Sequence, residues 1–421
     1  MLFRFSFSSG LLLLTLSAAT AWAQPQAQPP TALLTLGQAL DAAWQLSPQS
    51  RSEGNRRSEL AARDKAASSW ISGAPSVGIA HRTDRLNKNE GFREYEAEVE
   101  FPLWNPGVRA ATQLEVAAQR QSFDGQFALA RLKLAGELRA LAASIATAQV
   151  ERDLNQRKLQ DANTLVQDLT RRVKAGENAR VDALHAQVVV QLAQAALVAA
   201  GSQLQRLQNQ WRSQTGLTVV PPINEALTAL AINETSNEPV AAPASPDHPA
   251  ARQANALVSS AQARLTLANA DKRDPMSVAI STDRERSNFA AANETKMRIA
   301  LRIPLGSDNR NAPRQAAARA KLDAAQAELD ALQRQLPAEI AAATAELRAA
   351  RAAQGAATER TRLSTEVQAL VTKSWRLGDS DLPARLRADN EQFEASLQLA
   401  RATIDVQRAI ANLNQAHGIL P

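Results

Sequence analysis

The chain carries the same series of sequence landmarks twice, about 202 residues apart, which is the pattern of an internal duplication. Each landmark is a proline or glycine that ends or interrupts a regular pattern. The matched pairs are Pro102 and Pro304, Gly176 and Gly378, Gly216 and Gly418, and Pro48 and Pro249. We therefore predict two repeats, 36–217 and 248–421, joined by a Pro- and Ala-rich linker, 218–247. Two independent globular domains are the alternative, but aromatics make up only 4% of the chain, too few for two separate cores.

Each repeat predicts the same order of elements: a helix, two strands, a very long helix, a glycine turn and a final helix. Apolar residues in the long segments follow coiled-coil spacing, as at Leu322, Leu329 and Leu336. The predicted helices are 48–72, 108–174 and 181–215 in the first repeat, and 249–272, 312–376 and 382–417 in the second. A helix of about 65 residues is about 100 Å long, and the two shorter helices together reach about 90 Å. Two short helices stacked end to end therefore fit beside one long helix.

Each long segment also contains a weak point for a helix. Pro337 removes a backbone donor, and Ala135-Gly136 occupies the matching place in the first repeat. We expect a bend or irregularity at both places. The linker 218–247 is expected at the same level, as an equatorial collar around the helices.

The first 23 residues have the layout of a cleaved secretory signal, and 24–35 then form an N-terminal linker. Arg4 precedes a short apolar run, and small residues follow it up to Ala23. A membrane anchor is the alternative, but the run is shorter than the roughly 20 residues that a spanning helix needs. We expect no later stretch to be long and apolar enough to span a bilayer as a helix. A membrane-embedded part of the mature chain must then be built from β-strands.

The strand segments alternate between apolar and charged residues, so the two kinds lie on opposite faces of a sheet. The predicted membrane-facing residues are Tyr95, Val99, Phe101, Ile299, Leu301 and Ile303. The residues predicted to line a barrel lumen are Glu96, Glu98, Glu100, Arg298 and Arg302. Trp70 and Trp104 flank one end of the first hairpin, where an interfacial aromatic belt would lie. A soluble amphipathic hairpin on a helical core is the alternative.

Four strands are too few to close a barrel by themselves. Membrane barrels have about eight strands or more, and an open sheet edge cannot face lipid. Two or more copies of the chain must therefore combine their strands.

The usual residues for chemistry are absent or scattered. The sequence has no cysteine, which excludes disulfides and thiol chemistry. Its four histidines are far apart and lack metal-ligand spacing, and no nucleotide-binding or hydrolase motif occurs. The net charge of +6 forms no basic stripe for nucleic acid. We predict no catalytic residue, no metal site and no cofactor, so the protein is not expected to be an enzyme.

The duplication, the order of elements and the two glycine turns resemble the TolC-like family of outer-membrane efflux proteins. The turn segments are RRVKAGENARVDALHAQ around Gly176 and KSWRLGDSDLPARLRADNE around Gly378. The resemblance covers nearly all of the mature chain. It implies a mainly α fold with two β-hairpins, in which several protomers form a membrane β-barrel and a long α-helical tunnel.

The resemblance also implies partners and a tip. Such proteins are homotrimers in the outer membrane, with the helices in the periplasm, and they dock a periplasmic adaptor and an inner-membrane transporter, here of the RND type. The residues that map to the periplasmic tip or gate are Gly176, Asp182, Trp375, Arg376, Gly378, Asp379 and Arg387. Arg387 and Ala384 stand where well-known members have aspartates, which argues against a strongly acidic tip ring.

The expected function is the exit duct of a tripartite efflux pump that exports small molecules or metal ions. Three alternatives remain open: a periplasmic coiled-coil adaptor, a soluble scaffold, and the outer-membrane duct of a type I protein secretion system. An adaptor carries one helical hairpin with β-rich flanks, whereas this chain has two hairpins. A scaffold leaves the alternating strands unexplained.

Overall fold

The computed structural model describes residues 34–227 and 247–421. The predicted signal 1–23 and the larger part of the linker 218–247 lie outside the described residues. The helices are α1 (Leu36–Leu46), α2 (Pro48–Ser68), α3 (Val108–Lys174), α4 (Arg180–Thr215), α5 (Pro249–Ala270), α6 (Asp308–Leu377) and α7 (Leu382–Ala416). The strands are β1 (Ser76–Thr83), β2 (Arg93–Leu103), β3 (Met276–Arg286) and β4 (Glu294–Arg302). The predicted order of elements is confirmed in both repeats.

The two long helices have 67 and 70 residues, and each ends at a glycine turn as predicted. α6 continues through Pro337 without a break. Proline removes one backbone hydrogen bond there. The neighbouring side chains of Leu336 and Ile340 are buried, so packing on both sides of the proline compensates for the lost bond.

The first helical stretch of repeat one is divided at Ser47: α2 begins at Pro48 as predicted, whereas α1 before it was not predicted. α1 begins at a capping box in which Thr35 and Gln38 each bond to the backbone of the other. It ends at Ser47, whose side chain then accepts from Ser50 N–H and caps α2. The divided segment lies against α3 along its length, together with α4. The expected arrangement of short helices beside a long one is confirmed.

The four strands form one antiparallel sheet in the order β1-β2-β3-β4. The central pair joins the two repeats: Val99 of β2 lies opposite Ile280 of β3. Within the described residues, β1 pairs only with β2, and β4 pairs only with β3. The sheet therefore ends in two edges that have no strand partner.

The helices are arranged in the same sequence from side to side as the strands. Near the sheet, α5 packs between α3 and α6, with α2 on the outer side of α3. Near the glycine turns, α7 packs between α3 and α6, with α4 on the outer side of α3. The side of α2 and α4 thus corresponds to the β1 edge, and the side of α6 corresponds to the β4 edge.

The main core lies at the level of Ala135, about the middle of α3. Trp211 of α4 is fully buried there, and its indole N–H donates to the carbonyl of Val219 at 3.1 Å. Val220 and Ile223 pack against the same cluster. The described part of the inter-repeat linker, 218–227, therefore lies beside the middle of α3, which is the level predicted from the sequence.

One expectation about the helices was wrong. By length and composition α4 could cross a membrane, with a mean hydropathy of 1.5 over an 18-residue window. The reason is its run of alanine and valine, which is apolar without large side chains. Only 17% of that window is buried, although α4 packs along α3.

Candidate functional site

The charged face of the sheet is covered by cation–carboxylate pairs that join different strands. The pairs are Arg82 with Glu94 at 3.2 Å, Lys296 with Glu285 at 3.3 Å, Arg298 with Asp283 at 2.9 Å, and Arg302 with Glu100 at 3.2 Å. The strand register places all the residues predicted to line the lumen, Glu96, Glu98, Glu100, Arg298 and Arg302, on this one face. A pleated strand alternates its side chains, so the other face must carry the apolar set.

Three carboxylates on the charged face lie close together. Oxygen atoms of Glu94, Glu96 and Asp283 lie within 4.8 Å of one another. Arg298 contacts Glu96 at 3.7 Å as well as Asp283, and Arg82 contacts Glu94. Two cations thus balance most of the charge of three carboxylates. Asp283 was not predicted, because the polar end of β3 has no apolar alternation to mark it as strand.

The opposite face of the sheet is apolar and exposed in the isolated chain. Ile299 is 76% exposed, Leu301 60% and Tyr95 54%. Val99 and Phe101 lie on the same face, and Ile303 follows directly after β4. A soluble protein rarely leaves so many large apolar side chains in one contiguous patch.

Two tryptophans lie at the end of the sheet where the helices begin. Trp70 is 66% exposed, and its ring lies 5.9 Å from that of Phe101. Trp104 donates from its indole N–H to the carbonyl of Ser69 at 2.9 Å. A bridge between Ile71 and Leu103 holds the two segments together. Both rings are therefore fixed at one level, as a membrane–water interface would require.

The two outer helices carry exposed apolar rows near the glycine turns. On α4 the row consists of Val181, Leu184, Val188 and Leu192, each more than 45% exposed. On α6 the row consists of Leu363, Val367, Leu370 and Leu377, also each more than 45% exposed. Both rows have the three- and four-residue spacing of one helix face. We call them the α4 row and the α6 row.

Both glycine turns reverse the chain through a left-handed backbone. The φ angle is 79° at Gly176 and 85° at Gly378. In each turn the residue after the glycine bonds back to a carbonyl five residues earlier: Glu177 to Arg172 at 2.9 Å, and Asp379 to Ser374 at 3.0 Å. These bonds satisfy the last helix carbonyls, which is why the helices end at these glycines. Neither glycine has another group within 4 Å of where a Cβ would lie.

Trp375 is the centre of the packing just above the turns. It is 4% exposed and packs with Leu165 and Leu382. The guanidinium of Arg172 lies 4.3 Å from the ring centroid, and that of Arg385 lies 4.1 Å from it. A cation over an indole face is attracted by the ring's electrons. Trp375 therefore joins α3, α6 and α7 to one another at the tip.

Arg385 was missed by the sequence analysis, and its environment is unusual for an arginine. Burial lowers the pKa of the guanidinium, Asp389 and Asp168 act to raise it, and Arg376 and Arg172 lower it further. Its Nε lies 3.6 Å from Asp389, too far for a hydrogen bond, and has no other acceptor within the described residues. The cationic side chains at the tip are thus only partly neutralised inside one protomer.

The charged residues predicted at the tip lie at the turns, and within the described residues no ion pair joins them to one another. Asp182 accepts from the amide of Asn178 at 3.3 Å, and Arg387 donates to the carbonyl of Pro383 at 3.3 Å. Arg376 and Asp379 are exposed, and among residues 34–227 and 247–421 neither of them, nor Asp182, forms an ion pair. The charges of Arg376 and Asp379 are therefore available to another molecule, whereas Asp182 is half-buried.

Comparison with known proteins identifies the fold. No protein-family model and no curated protein matches the sequence. The outer membrane protein VceC from Vibrio cholerae matches with a TM-score of 0.71 and 16% identity, over 91% of this chain and 96% of that chain. The Campylobacter jejuni CmeC outer membrane channel matches with a TM-score of 0.68 and 11% identity, over 96% of this chain and 93% of that chain. The Neisseria gonorrhoeae MtrE outer membrane channel, in its open state, matches with a TM-score of 0.67 and 16% identity, over 91% of this chain and 89% of that chain.

These structures are similar along nearly their whole length to the chain described here. The chain therefore has the TolC-like outer-membrane channel fold, mainly α with four strands for each protomer. The predicted fold class is confirmed.

Proposed function

We propose that this chain is one subunit of a homotrimeric outer-membrane channel, the exit duct of a tripartite efflux pump. The observation that carries this proposal is the pair of open edges that the sheet and the helices share. The β1 edge lies on the side of α2 and α4, and the β4 edge lies on the side of α6. The sheet and the set of helices are therefore both left without a neighbour on the same two sides of the protomer.

A head-to-tail ring completes both layers at once. The β1 edge of one copy pairs with the β4 edge of the next, which removes every open strand edge. The apolar face of the resulting barrel meets lipid, and the paired charges line its lumen. Three copies of four strands make a barrel of twelve, within the range known for membrane barrels.

The same ring brings the α4 row against the α6 row of the next copy. α4 starts at a glycine turn and α6 ends at one, so the two rows begin at the same level and run antiparallel. Leu184, Val188 and Leu192 line a groove on α4 that has no occupant in the single chain. Burying both rows at the joint between copies removes two exposed apolar patches of the helical part from water.

The tip is proposed as the docking site for a periplasmic adaptor that connects the duct to an inner-membrane transporter of the RND type. The exposed turns at Gly176 and Gly378 have room around them for another chain. Charges at Arg376 and Asp379 have no ion-pair partner within the described part of the protomer. The cargo is proposed to be small molecules or metal ions, which pass through the lumen without being chemically changed.

A cross-linking experiment tests the ring directly. The chain has no cysteine, so a pair introduced at Val188 and Leu370 is the only pair of thiols present. The two sites lie on opposite sides of one protomer, so a thiol-specific cross-linker can join them only between copies. We expect a ladder of bands that ends at three copies. Each single-cysteine variant is the matched control and should give no ladder, and a ladder that ends at two or continues beyond three contradicts the trimer.

Fractionation and export assays separate the proposal from its alternatives. An exit duct is found in the outer membrane, conducts ions in planar bilayers, and restores small-molecule efflux in cells that lack their own duct. A soluble scaffold or an adaptor would be recovered in fractions other than the outer membrane and would not conduct ions in planar bilayers. A duct that restores protein secretion but not efflux would support the type I alternative.

A further inference from the structure

The two faces of the sheet differ in the sign of their charges as well as in polarity. The strand register places every carboxylate of β1 to β4 on the lumen face. The outer face carries no carboxylate at all within these strands, and its charged residues are three arginines. They are Arg93 on β2 and Arg284 and Arg286 on β3.

The three arginines lie together at the end of the sheet that is farthest from the helices. Arg93 is directly opposite Arg286, and Tyr95 is directly opposite Arg284. Below them the outward-facing residues of β2 are apolar from Ala97 down to Leu103 and the helices. The segment 95–103 extends about 26 Å along the strand and is about nine residues long, the lower limit for a tilted strand that spans the apolar layer. The arginines thus begin where the apolar band ends.

Among the described residues no carboxylate forms an ion pair with this group of arginines. On the lumen face each of the four cations has a carboxylate partner, whereas Arg93 and Arg284 are exposed and have none within the described residues. Arg286 is held by the loops, with its guanidinium 5.6 Å from the Phe289 ring and its Nε 3.3 Å from the carbonyl of Gly91. Like charges directly opposite each other destabilise a strand pair unless an anion lies between them.

We infer that Arg93, Arg284 and Arg286 bind the phosphate groups of a phosphorylated glycolipid in the outer leaflet of the membrane. This inference rests on the proposed function, because it needs the sheet in the outer membrane with its helices in the periplasm. The hairpin loops then face the exterior, and the arginines lie at the depth of the lipid headgroups. A guanidinium binds phosphate through paired, charge-assisted hydrogen bonds, so two adjacent arginines form a ready receptor for one phosphate. Tyr95, at the edge of the apolar band, suits the boundary between acyl chains and headgroups.

The test removes two of the arginines and measures lipid binding by the whole protein. The variant Arg93→Gln/Arg284→Gln leaves Arg286 in place, since Arg286 also supports the loops. The matched control is Arg82→Gln/Lys296→Gln, which removes the same charge from the lumen face at the same end of the sheet. Each purified protein is titrated with purified lipopolysaccharide, with its dephosphorylated form, with phosphatidylethanolamine vesicles and with inorganic phosphate.

The parent and the lumen control should bind lipopolysaccharide equally. The outer-face variant should bind it at least about tenfold more weakly, the loss expected for a single charge-assisted hydrogen bond. Dephosphorylated lipid should bind all three proteins equally weakly. Equal affinity of the outer-face variant and the control for the phosphorylated lipid would overturn the inference. Equally strong binding of inorganic phosphate would overturn the assignment to a lipid.

The experiment also separates this inference from the proposed function. Both variants are first examined for cross-linked rings in outer-membrane fractions. If the parent forms no ring there, the proposed function fails and the lipid site fails with it. If the rings form normally but the lipid titrations do not differ, only the lipid site is wrong.

Discussion

Arg139 of α3 donates two parallel hydrogen bonds to the carboxylate of Glu225, from Nε at 2.7 Å and from Nη2 at 2.8 Å. The third nitrogen, Nη1, donates to the side-chain oxygen of Gln415 and to the carbonyl of Ile419. Arg139 is only 2% exposed. One buried guanidinium therefore joins the first repeat, the inter-repeat linker and the end of the second repeat.

Breaking this pair should strongly destabilise the middle of the molecule. Glu225→Ala leaves the charge of Arg139 buried without its main partner, which costs about 3–5 kcal/mol for pairs of this kind. The free energy of unfolding, measured by denaturant titration, should fall by that amount. The control is Glu151→Ala, which removes an exposed pair with Arg401 at 2.6 Å and should cost only about 0–1 kcal/mol. Equal losses would mean that the buried network does not anchor the linker.

The assignment of the two sheet faces predicts opposite responses to the same substitution. Val99→Arg places a charge on the lipid face and should destabilise the protein in bilayers by about 2–4 kcal/mol if it lies near the midplane. Glu98→Arg, one residue away on the lumen face, should have little effect. The measurement is equilibrium unfolding from lipid vesicles. Equal damage from the two variants would show that the faces have been assigned wrongly.

Trp375 should control the rigidity of the tip. Trp375→Ala removes a buried ring from the contact of three helices and should cost about 3–5 kcal/mol. Arg172 and Arg385 also lose the ring face over which they lie. Hydrogen exchange in residues 368–390 should become faster, while exchange around Ala135 stays unchanged. Trp70→Ala, at an exposed ring, should leave exchange at the tip as it is, and slow exchange in the Trp375 variant would contradict this role.

The charged turns are predicted to hold the tip closed through pairs between neighbouring protomers. Asp182→Ala together with Arg376→Ala should raise the single-channel conductance in planar bilayers without loss of the trimer. Such surface pairs are modest and screened by salt, so the conductance of the parent divided by the conductivity of the bulk solution should also rise at high salt. Unchanged conductance in the double variant would remove these two residues from the gate.

The glycines at the turns are predicted to shape the docking surface. A bulky side chain at Gly176 or Gly378 has space, but the positive φ angle strains it by roughly 1–2 kcal/mol. Export should fall because the turn changes shape, whereas ring formation should persist. Gly355 lies within α6 with open space around it, so the same replacement there is the control. Normal export by the turn variants would argue against docking at this surface.

His248 predicts a loss of stability in mild acid. Its Nδ1 accepts from the N–H of Ala250 at 3.1 Å and caps α5, so this nitrogen must be unprotonated. Burial lowers the pKa of His248 below 6.5, Glu339 acts to raise it, and His417 lowers it. The folded state therefore binds the proton less readily than the unfolded state, and stability falls as pH drops below about 6.5. Losing the cap costs about 1 kcal/mol.

The pH effect is measured as the difference in melting temperature between about pH 7.5 and pH 5.5. His248→Asn keeps a capping oxygen but has no proton to gain, so its difference should be smaller than that of the parent. His417, whose pKa is also lowered by burial, is present in both proteins. It accounts for a pH-dependent difference in melting temperature that remains in the asparagine variant. An unchanged difference in the asparagine variant would show that His248 does not cause it.

Periodicity was enough to predict the long helices and the strand faces, because each is a local pattern repeated along one element. It did not indicate α1, whose start depends on the capping box of Thr35 and Gln38. It also missed the burial of Arg139 and Arg385. Both have the spacing of ordinary helix-surface residues, and their partners are brought close only by packing between distant segments. The polar end of β3 was missed because Asp283 and Arg284 have no apolar neighbours to mark the strand.

The two incomplete edges of the protomer have a genetic consequence. In the proposed ring each joint combines one edge from each of two copies, so a chain altered at one edge spoils one joint in every ring that it enters. In a cell that makes both kinds of chain, few rings would then be free of the altered one. Substitutions in the α4 row, the α6 row, β1 or β4 that still allow entry into the ring should therefore act as dominant alleles. Substitutions that prevent a chain from joining at all should be recessive.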